Sequence, residues 1–187
     1  RRSLLQGTYD GLEGQTNMSA PKNWKPLYAS LQNDPELSEM ALNISQKFGD
    51  LEANQLFLKQ LEQDNVSDLQ RIAAIKKLAA NQEPMLAQKI PQLLKVPVLR
   101  IAAIQAIASF NEDIGRHLVE LILAGYPSYD ALERQETIQT LAARSYSGWM
   151  LAEAIKSEEI PKRDIPSYTA RQLRRVVGSG FLEIWGP

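Results

Sequence analysis

The sequence predicts an all-α fold in which short antiparallel helices pack in repeated pairs. Apolar residues recur at helical spacing in successive segments, and two of these segments share the same five-residue motif. Residues 71–75 read Arg-Ile-Ala-Ala-Ile, and residues 100–104 repeat this motif 29 residues later. The alternation of apolar and polar residues that is typical of β-strands is not sustained anywhere.

A third, looser copy extends the repeat. Around Arg134, the residues Ile138, Leu141 and Ala142 repeat the pattern that follows Arg100, at a spacing of 34 residues. Periods of this size are typical of helical repeats, in which each helix pair buries its apolar face against the next. We therefore expect a HEAT- or armadillo-like, right-handed superhelical stack of antiparallel helix pairs.

Four helices are predicted in the first half of the chain: 2–12, 35–50, 51–63 and 69–80. Gly11, Gly14 and Asn17 indicate a loop after the first of them, reaching about Pro21. Pro35 is expected as the first helical residue after Asp34, because proline suits the first turn of a helix.

Six helical segments are predicted in the second half: 85–95, 98–109, 113–125, 130–144, 168–177 and a short turn at 181–185. Asp68 and Asp113 are predicted N-caps, since a short carboxylate accepts hydrogen bonds from the free N–H groups of the first turn. Residues 125–128 read Gly-Tyr-Pro-Ser and end one helix, and residues 160–166, with two prolines, form a connector.

Length and composition predict a single domain over residues 1–187, with an irregular leading helix and loop at 1–20 and a C-terminal cap at 160–187. The chain starts at Arg1, so we interpret it as a piece of a larger multidomain protein. The net charge of −1 is a poor match for nucleic-acid binding. The sequence has no cysteine, which excludes disulfides and thiolate metal sites, and no run of about 18 apolar residues that would insert into a membrane.

Five basic residues form the candidate interaction site: Lys162, Arg163, Arg171, Arg174 and Arg175. They could bind an acidic partner, with Arg171 and Arg174 on one helix face. They could equally be the solvated side of a terminal helix, or arginines bonded to carbonyls of the preceding connector. No catalytic, metal or cofactor-binding residue is predicted in this segment.

Other residue types that carry chemistry have simpler interpretations. His117 is the only histidine and is accompanied by no nucleophile motif or further zinc ligand, so we expect a structural or surface role. Carboxylate pairs occur at 36 and 39, 64 and 68, and 158 and 159, without the spacing of a calcium loop. Aromatic residues in the second half line a groove or fill the core: Tyr126, Tyr129, Tyr146, Trp149 and Tyr168.

Several short motifs, taken in their order along the chain, resemble the helical-repeat region of bacterial membrane-bound-dehydrogenase-type multidomain proteins. The motifs are Gly11-Leu12-x-Gly14, Pro21-x-x-Trp24, Phe48-Gly49-Asp50, Arg71-x-x-Ala74-Ile75, Tyr126-Pro127, Glu133-Arg134, Ile160-Pro161-x-x-Asp164, Ala170-Arg171-Gln172-Leu173 and Ile184-Trp185-Gly186. The resemblance spans Leu4 to Gly186. It implies an exported or periplasmic redox protein in which HEAT-like helices connect a sorbosone-dehydrogenase-like β-propeller to a c-type cytochrome domain. Haem c would then belong to a neighbouring domain, and none of its ligands has a counterpart here.

Three functions follow from these observations as alternatives. The first is a non-catalytic scaffold between two redox domains, with neighbouring domains of the same chain, or another protein, as partners. The second is a stand-alone solenoid that binds a protein or peptide on its concave face. The third is an enzyme similar to the helical-repeat DNA glycosylases, which would need a strongly basic face and a catalytic carboxylate beside aromatic residues.

Overall fold

The computed structural model describes residues 2–12, 20–48, 51–63 and 65–186, and their regular secondary structure is entirely helical. The α-helices are α1 (Arg2–Gly11), α2 (Trp24–Leu31), α3 (Ser38–Lys47), α4 (Leu51–Gln60), α5 (Asp68–Ala80), α6 (Pro84–Leu93), α7 (Pro97–Ile107), α8 (Glu112–Gly125), α9 (Ala131–Leu141), α10 (Ser145–Lys156), α11 (Ser167–Val177) and α12 (Gly180–Trp185). Two 3₁₀ turns, Tyr126–Ser128 and Lys162–Asp164, lie between them. The all-α prediction is confirmed. Within the described ranges, every helix is too short or too polar to cross a membrane.

Two helices and several helix boundaries differ from the sequence prediction. Helices α2 and α10 were not predicted, and the helix expected over 130–144 ends at Leu141. The helix expected to start at Pro35 starts at Ser38, because residues 35–37 form a turn in which the Asp34 carboxylate accepts the Glu36 N–H at 3.0 Å. The loop at 13–19 and the predicted helix end at Gly49 and Asp50 lie outside the described residues.

The predicted N-caps Asp68 and Asp113 are wrong by one or two residues. Ser67 caps α5 in a reciprocal capping box, its hydroxyl accepting the Gln70 N–H while the Gln70 side chain accepts the Ser67 N–H. Asn111 caps α8 by accepting the Ile114 N–H at 3.2 Å. Both aspartates therefore lie in the first turn of their helices, where their negative charge interacts favourably with the positive end of the helix dipole.

The chain divides into two compact units, the first ending at Glu83 and the second starting at Pro84. In the first unit, α3 contacts α1, α2 and α4, and α4 contacts α5. Its core is centred on Trp24, whose indole N–H donates to the buried Ser45 hydroxyl at 2.7 Å and whose ring meets Phe48 edge-on. The single domain over 1–187 stays a prediction.

In the second unit, helices contact their second neighbours as well as their first. Helix α7 packs on α9, while α6 packs on α8, α8 on α10 and α10 on α12. Fully buried aliphatic side chains fill the space between these helices: Leu99, Ile104, Ile107, Ile122, Ile138, Leu151 and Leu173. Burial of each such side chain stabilises the fold by about 1.5–3 kcal/mol. The superhelical stack itself stays a prediction.

The arginine that recurs in the repeated sequence motif has a structural role in each of the three copies of the motif. Arg71 donates to the Leu61 carbonyl at 3.0 Å, Arg100 to the Leu94 carbonyl at 2.7 Å, and Arg134 to the Pro127 carbonyl at 2.8 Å. Each acceptor lies just after the preceding α-helix ends, where backbone carbonyls have no intrahelical partner. The repeated arginine therefore joins α5, α7 and α9 to the end of the helix that precedes each of them.

Candidate functional site

Helix α11 presents three of the five predicted basic residues to solvent. Its buried side holds Thr169, Leu173 and Val177, and the exposed side holds Arg171, Arg174 and Arg175. This helix contains no acidic residue. The strict separation of apolar and basic residues fixes α11 against the core by one face and leaves a positively charged surface on the other.

Gly178 ends α11 and turns the chain back on itself. Its φ of +85° lies in the left-handed region, which L side chains rarely adopt, so glycine is required there. The reversal brings α12 against α11 and buries Phe181. The Trp185 ring stacks on Phe181 with 5.6 Å between ring centroids, which places an aromatic surface opposite the arginines of α11.

A cavity of about 230 Å³ lies between α11 and α12. We call it the basic groove, and its lining is Ser167, Ala170, Arg171, Arg174, Phe181, Leu182, Trp185 and Gly186. The Lys162 ammonium donates to the Trp185 carbonyl at 3.3 Å and lies 6.0 Å from the centroid of the Trp185 ring. Arg171 and Arg174 thus line the groove, and Lys162 contacts its Trp185 without being part of the lining.

The other two predicted residues are not part of this groove. Arg163 is exposed and its Nε lies 3.9 Å from an Asp164 carboxylate oxygen. Arg175 is exposed on α11 and does not line the groove. In the described part of the chain, the guanidinium groups of Arg171 and Arg174 have no hydrogen-bond or ion-pair partner. Two unpaired guanidinium groups beside an indole can bind a carboxylate in a bidentate manner.

Comparison with protein-family models, curated proteins and solved structures found no match. The resemblance to the membrane-bound-dehydrogenase-type proteins therefore stays a prediction.

A larger cavity, of about 670 Å³, lies between α8 and α10 and is lined by two of the aromatic residues for which a groove was one of the two stated alternatives. Two glycines shape it. The Tyr146 ring lies directly over Gly115, where a Cβ atom would be 2.0 Å from the phenol oxygen, and the Trp149 ring lies against Gly180. We call this cavity the aromatic groove. The signal in the sequence was a glycine inside a helix, which becomes informative only once its neighbour across the fold is known.

The aromatic residues of the second half divide between core and surface. Tyr126 and Tyr129 are buried, Tyr146 is partly buried, and Trp149 and Tyr168 are 43% and 47% exposed. Some members of this set therefore fill the core and others lie at the surface, so each of the two stated alternatives applies to part of the set. Trp149 and Tyr146 line the aromatic groove.

His117 lies on the surface of α8, in agreement with the expected structural or surface role. Its Nδ1 is 3.6 Å from Glu120, one turn along the helix, and its side chain is largely exposed. The carboxylate pairs do not converge on a site. Glu36 and Glu39 face Arg2 and Lys77, and Asp64 lies outside the described residues. Across the described ranges, no three acidic, histidine or cysteine side chains come together as metal ligands.

Three tyrosines should make the stability of the fold depend on pH in the alkaline range. Burial raises the pKa of Tyr126, and the hydrogen bond that its hydroxyl donates to Asp164 at 2.9 Å raises it further, while Arg134 opposes the shift. Burial likewise raises the pKa values of Tyr129 and Tyr146. A phenol whose pKa is raised by folding stabilises the fold fully below its unfolded pKa of 10.0, and this contribution is lost as the pH rises above that value.

We therefore expect the free energy of unfolding to fall between pH 9.5 and 11.5, and to fall less steeply in Tyr126→Phe (a window of about two units around the phenol pKa). Urea unfolding followed by circular dichroism at several pH values measures this slope. Tyr168→Phe, at an exposed phenol, is the control. Parallel curves for Tyr126→Phe and the unsubstituted chain would contradict the assignment.

Proposed function

We propose that this chain is a non-catalytic scaffold that connects and orients neighbouring domains of a larger exported redox protein. The neighbours would be a dehydrogenase-like propeller before it and a c-type cytochrome domain after it, as the sequence resemblance implies. A connecting scaffold needs helices that are held firmly against one another within each unit. The observation that supports this role is the use of its buried charged groups.

Those charged groups are bonded to helix ends. Four partly buried arginines donate to backbone carbonyls at or near the ends of helices: Arg71, Arg100, Arg134 and Arg144. The buried carboxylate of Glu133 accepts the Asp130 N–H at the start of α9 and also the Arg100 guanidinium. Polar groups that would be available for chemistry in an enzyme here fix one helix against another within each unit, which supports a scaffold role.

The basic groove is the proposed docking place for an acidic surface of a neighbouring domain or another protein. Its guanidinium groups are exposed, and Trp185 supplies an apolar surface beside them. Arginine and tryptophan are the residue types that most often dominate the binding energy of interfaces.

A charge-reversal experiment tests this docking place. We expect Arg171→Glu with Arg174→Glu to weaken binding of a fluorescein-labelled glutamate decapeptide by about tenfold or more at low salt, because charge-assisted bonds are replaced by repulsion. The matched control is Arg163→Glu with Arg175→Glu, which changes the net charge equally but outside the groove. A control loss of about twofold supports the groove. Equal losses would show attraction to net charge alone.

The coding sequence that flanks this chain tests the redox context. We expect a C-x-x-C-H haem motif within about 150 codons after Pro187, the length of one ordinary domain. A downstream domain without haem ligands would contradict the linker proposal. It would leave the second alternative, a stand-alone solenoid, for which the aromatic groove between α8 and α10 is the favouring observation.

The glycosylase-like alternative is tested by fluorescence anisotropy with duplex DNA at low salt. Because the net charge is −1, we expect no binding at micromolar protein concentration. Binding that weakens steeply as salt is added would contradict the non-catalytic proposal.

A further inference from the structure

Four helices of the first unit surround a cavity that the scaffold role does not use. Its volume is about 470 Å³, within the range of small-molecule pockets. Helices α2, α3, α4 and α5 each contribute to its walls. The lining is Tyr28, Gln32, Ser38, Glu39, Leu42, Leu56, Phe57, Gln60, Gln70, Ala73 and Lys77.

Among the described residues that line this cavity, Lys77 is the only one with a basic side chain, and it is held in place. Its side chain is 26% exposed, and its ammonium lies 4.9 Å from the centroid of the Phe57 ring. Glu39, at 4.0 Å, is the only acidic residue in the described part of the lining, and its side chain is 83% exposed to water, which weakens the pairing. The remaining titratable group of the lining is the phenol of Tyr28.

Burial lowers the pKa of Lys77, and the attraction of Glu39 opposes that shift only in part. The protonated ammonium is thus poorly compensated in the structure. An anion that entered the cavity would pair with the ammonium away from bulk water, where the attraction between charges is stronger. Binding of such an anion would raise the pKa of Lys77.

The rest of the lining identifies the chemistry of the anion. A single ammonium, without an arginine, matches one negative charge better than the two of a phosphate. Leu42, Leu56 and Phe57 supply apolar surface for a hydrocarbon body, and Gln32 and Gln60 supply amide groups at the walls. We propose that this cavity binds a small monocarboxylic acid, with its carboxylate on Lys77 and its apolar body against Leu56 and Phe57.

Hexanoate and benzoate are suitable probes, and their neutral amides are the ligand controls. In a carbon-13 NMR titration that follows the Cε methylene groups of the lysines, we expect each acid to shift the Lys77 Cε signal and to raise its titration midpoint. The amides should leave both unchanged. Identical shifts with acid and amide, or no shift up to about 10 mM, the range of weak ligands, would overturn the proposal.

Two variants complete the experiment. Lys77→Met keeps the unbranched stem of the side chain but removes its charged terminal nitrogen, and we expect it to weaken binding of hexanoate and benzoate by about tenfold or more. Lys76→Met, at the exposed neighbouring position on α5, should bind as the unsubstituted chain does. Equal affinity of the two variants would overturn the proposal, and the comparison of acid with amide decides it on the unsubstituted chain if Lys77→Met does not fold.

Discussion

Replacement of Arg100 by methionine is expected to destabilise the second unit by about 3–5 kcal/mol, as loss of one partner of a buried ion pair does. The Arg100 guanidinium donates to Glu133 at 2.7 Å and to the Leu94 carbonyl at 2.7 Å, and it lies over the Tyr129 ring. The Glu133 side chain is only 7% exposed, so the variant leaves its charge buried and unpaired. The end of α6 also loses a donor.

Urea unfolding followed by circular dichroism measures this loss. Addition of Glu133→Gln to Arg100→Met should restore part of the stability, because the amide removes the buried charge and can still accept the Asp130 N–H. Arg116→Met is the control, since Arg116 pairs with Glu112 at the surface of α8 and its removal should change stability by less than about 0.5 kcal/mol. Equal effects of Arg100→Met and Arg116→Met would refute the role of the buried pair.

Gly115→Ala is expected to destabilise the second unit by about 1–3 kcal/mol, as overpacking does. Helix propensity alone predicts the opposite, a gain of about 1 kcal/mol for alanine over glycine inside a helix. A Cβ at this position would lie 2.0 Å from the Tyr146 phenol oxygen and 2.8 Å from the ring carbon that bears it. The ring is held there because its hydroxyl donates to the Phe110 carbonyl at 3.2 Å.

The chain offers a matched control for this substitution. Gly7 lies inside α1, and nothing stands within 4 Å of a Cβ built there, so Gly7→Ala should follow helix propensity and leave the chain as stable or more stable. Thermal unfolding of the two variants gives the comparison. A Gly115→Ala protein more stable than the unsubstituted chain would show that Tyr146 moves away without loss.

The helices that could be predicted from the sequence are those with an uninterrupted apolar period, such as α5, α7 and α11. Helix α2 is short and contains Pro26, and α10 contains Gly148 among small polar residues, so local propensity is low in both. Close packing against a neighbouring helix explains why α10 contains this glycine. A Cβ at Gly148 would lie 3.1 Å from Val176, so glycine allows α10 to approach α11 closely.

The candidate site shows a similar division. The basic residues of α11 and their shared face follow from helical spacing. The contact of Lys162 with Trp185 depends on the reversal at Gly178, which brings together residues 23 positions apart. The aromatic groove depends on the contact between Tyr146 on α10 and Gly115 on α8. The cavity proposed to bind a carboxylic acid depends on four helices that pack around Lys77. Such contacts follow from tertiary packing, which periodicity alone does not specify.

The unequal repeat spacing has a consequence for how this kind of chain can change in evolution. Helix α8 has 14 residues and α6 has 10, a difference close to one helical turn. An insertion of four residues lengthens a helix but rotates its later residues by only about 40°, so the apolar side still faces the core. We expect relatives to differ in length by whole turns inside helices and by any number of residues in connectors. A one- or two-residue deletion within α8 would instead turn its apolar residues toward water and be removed by selection.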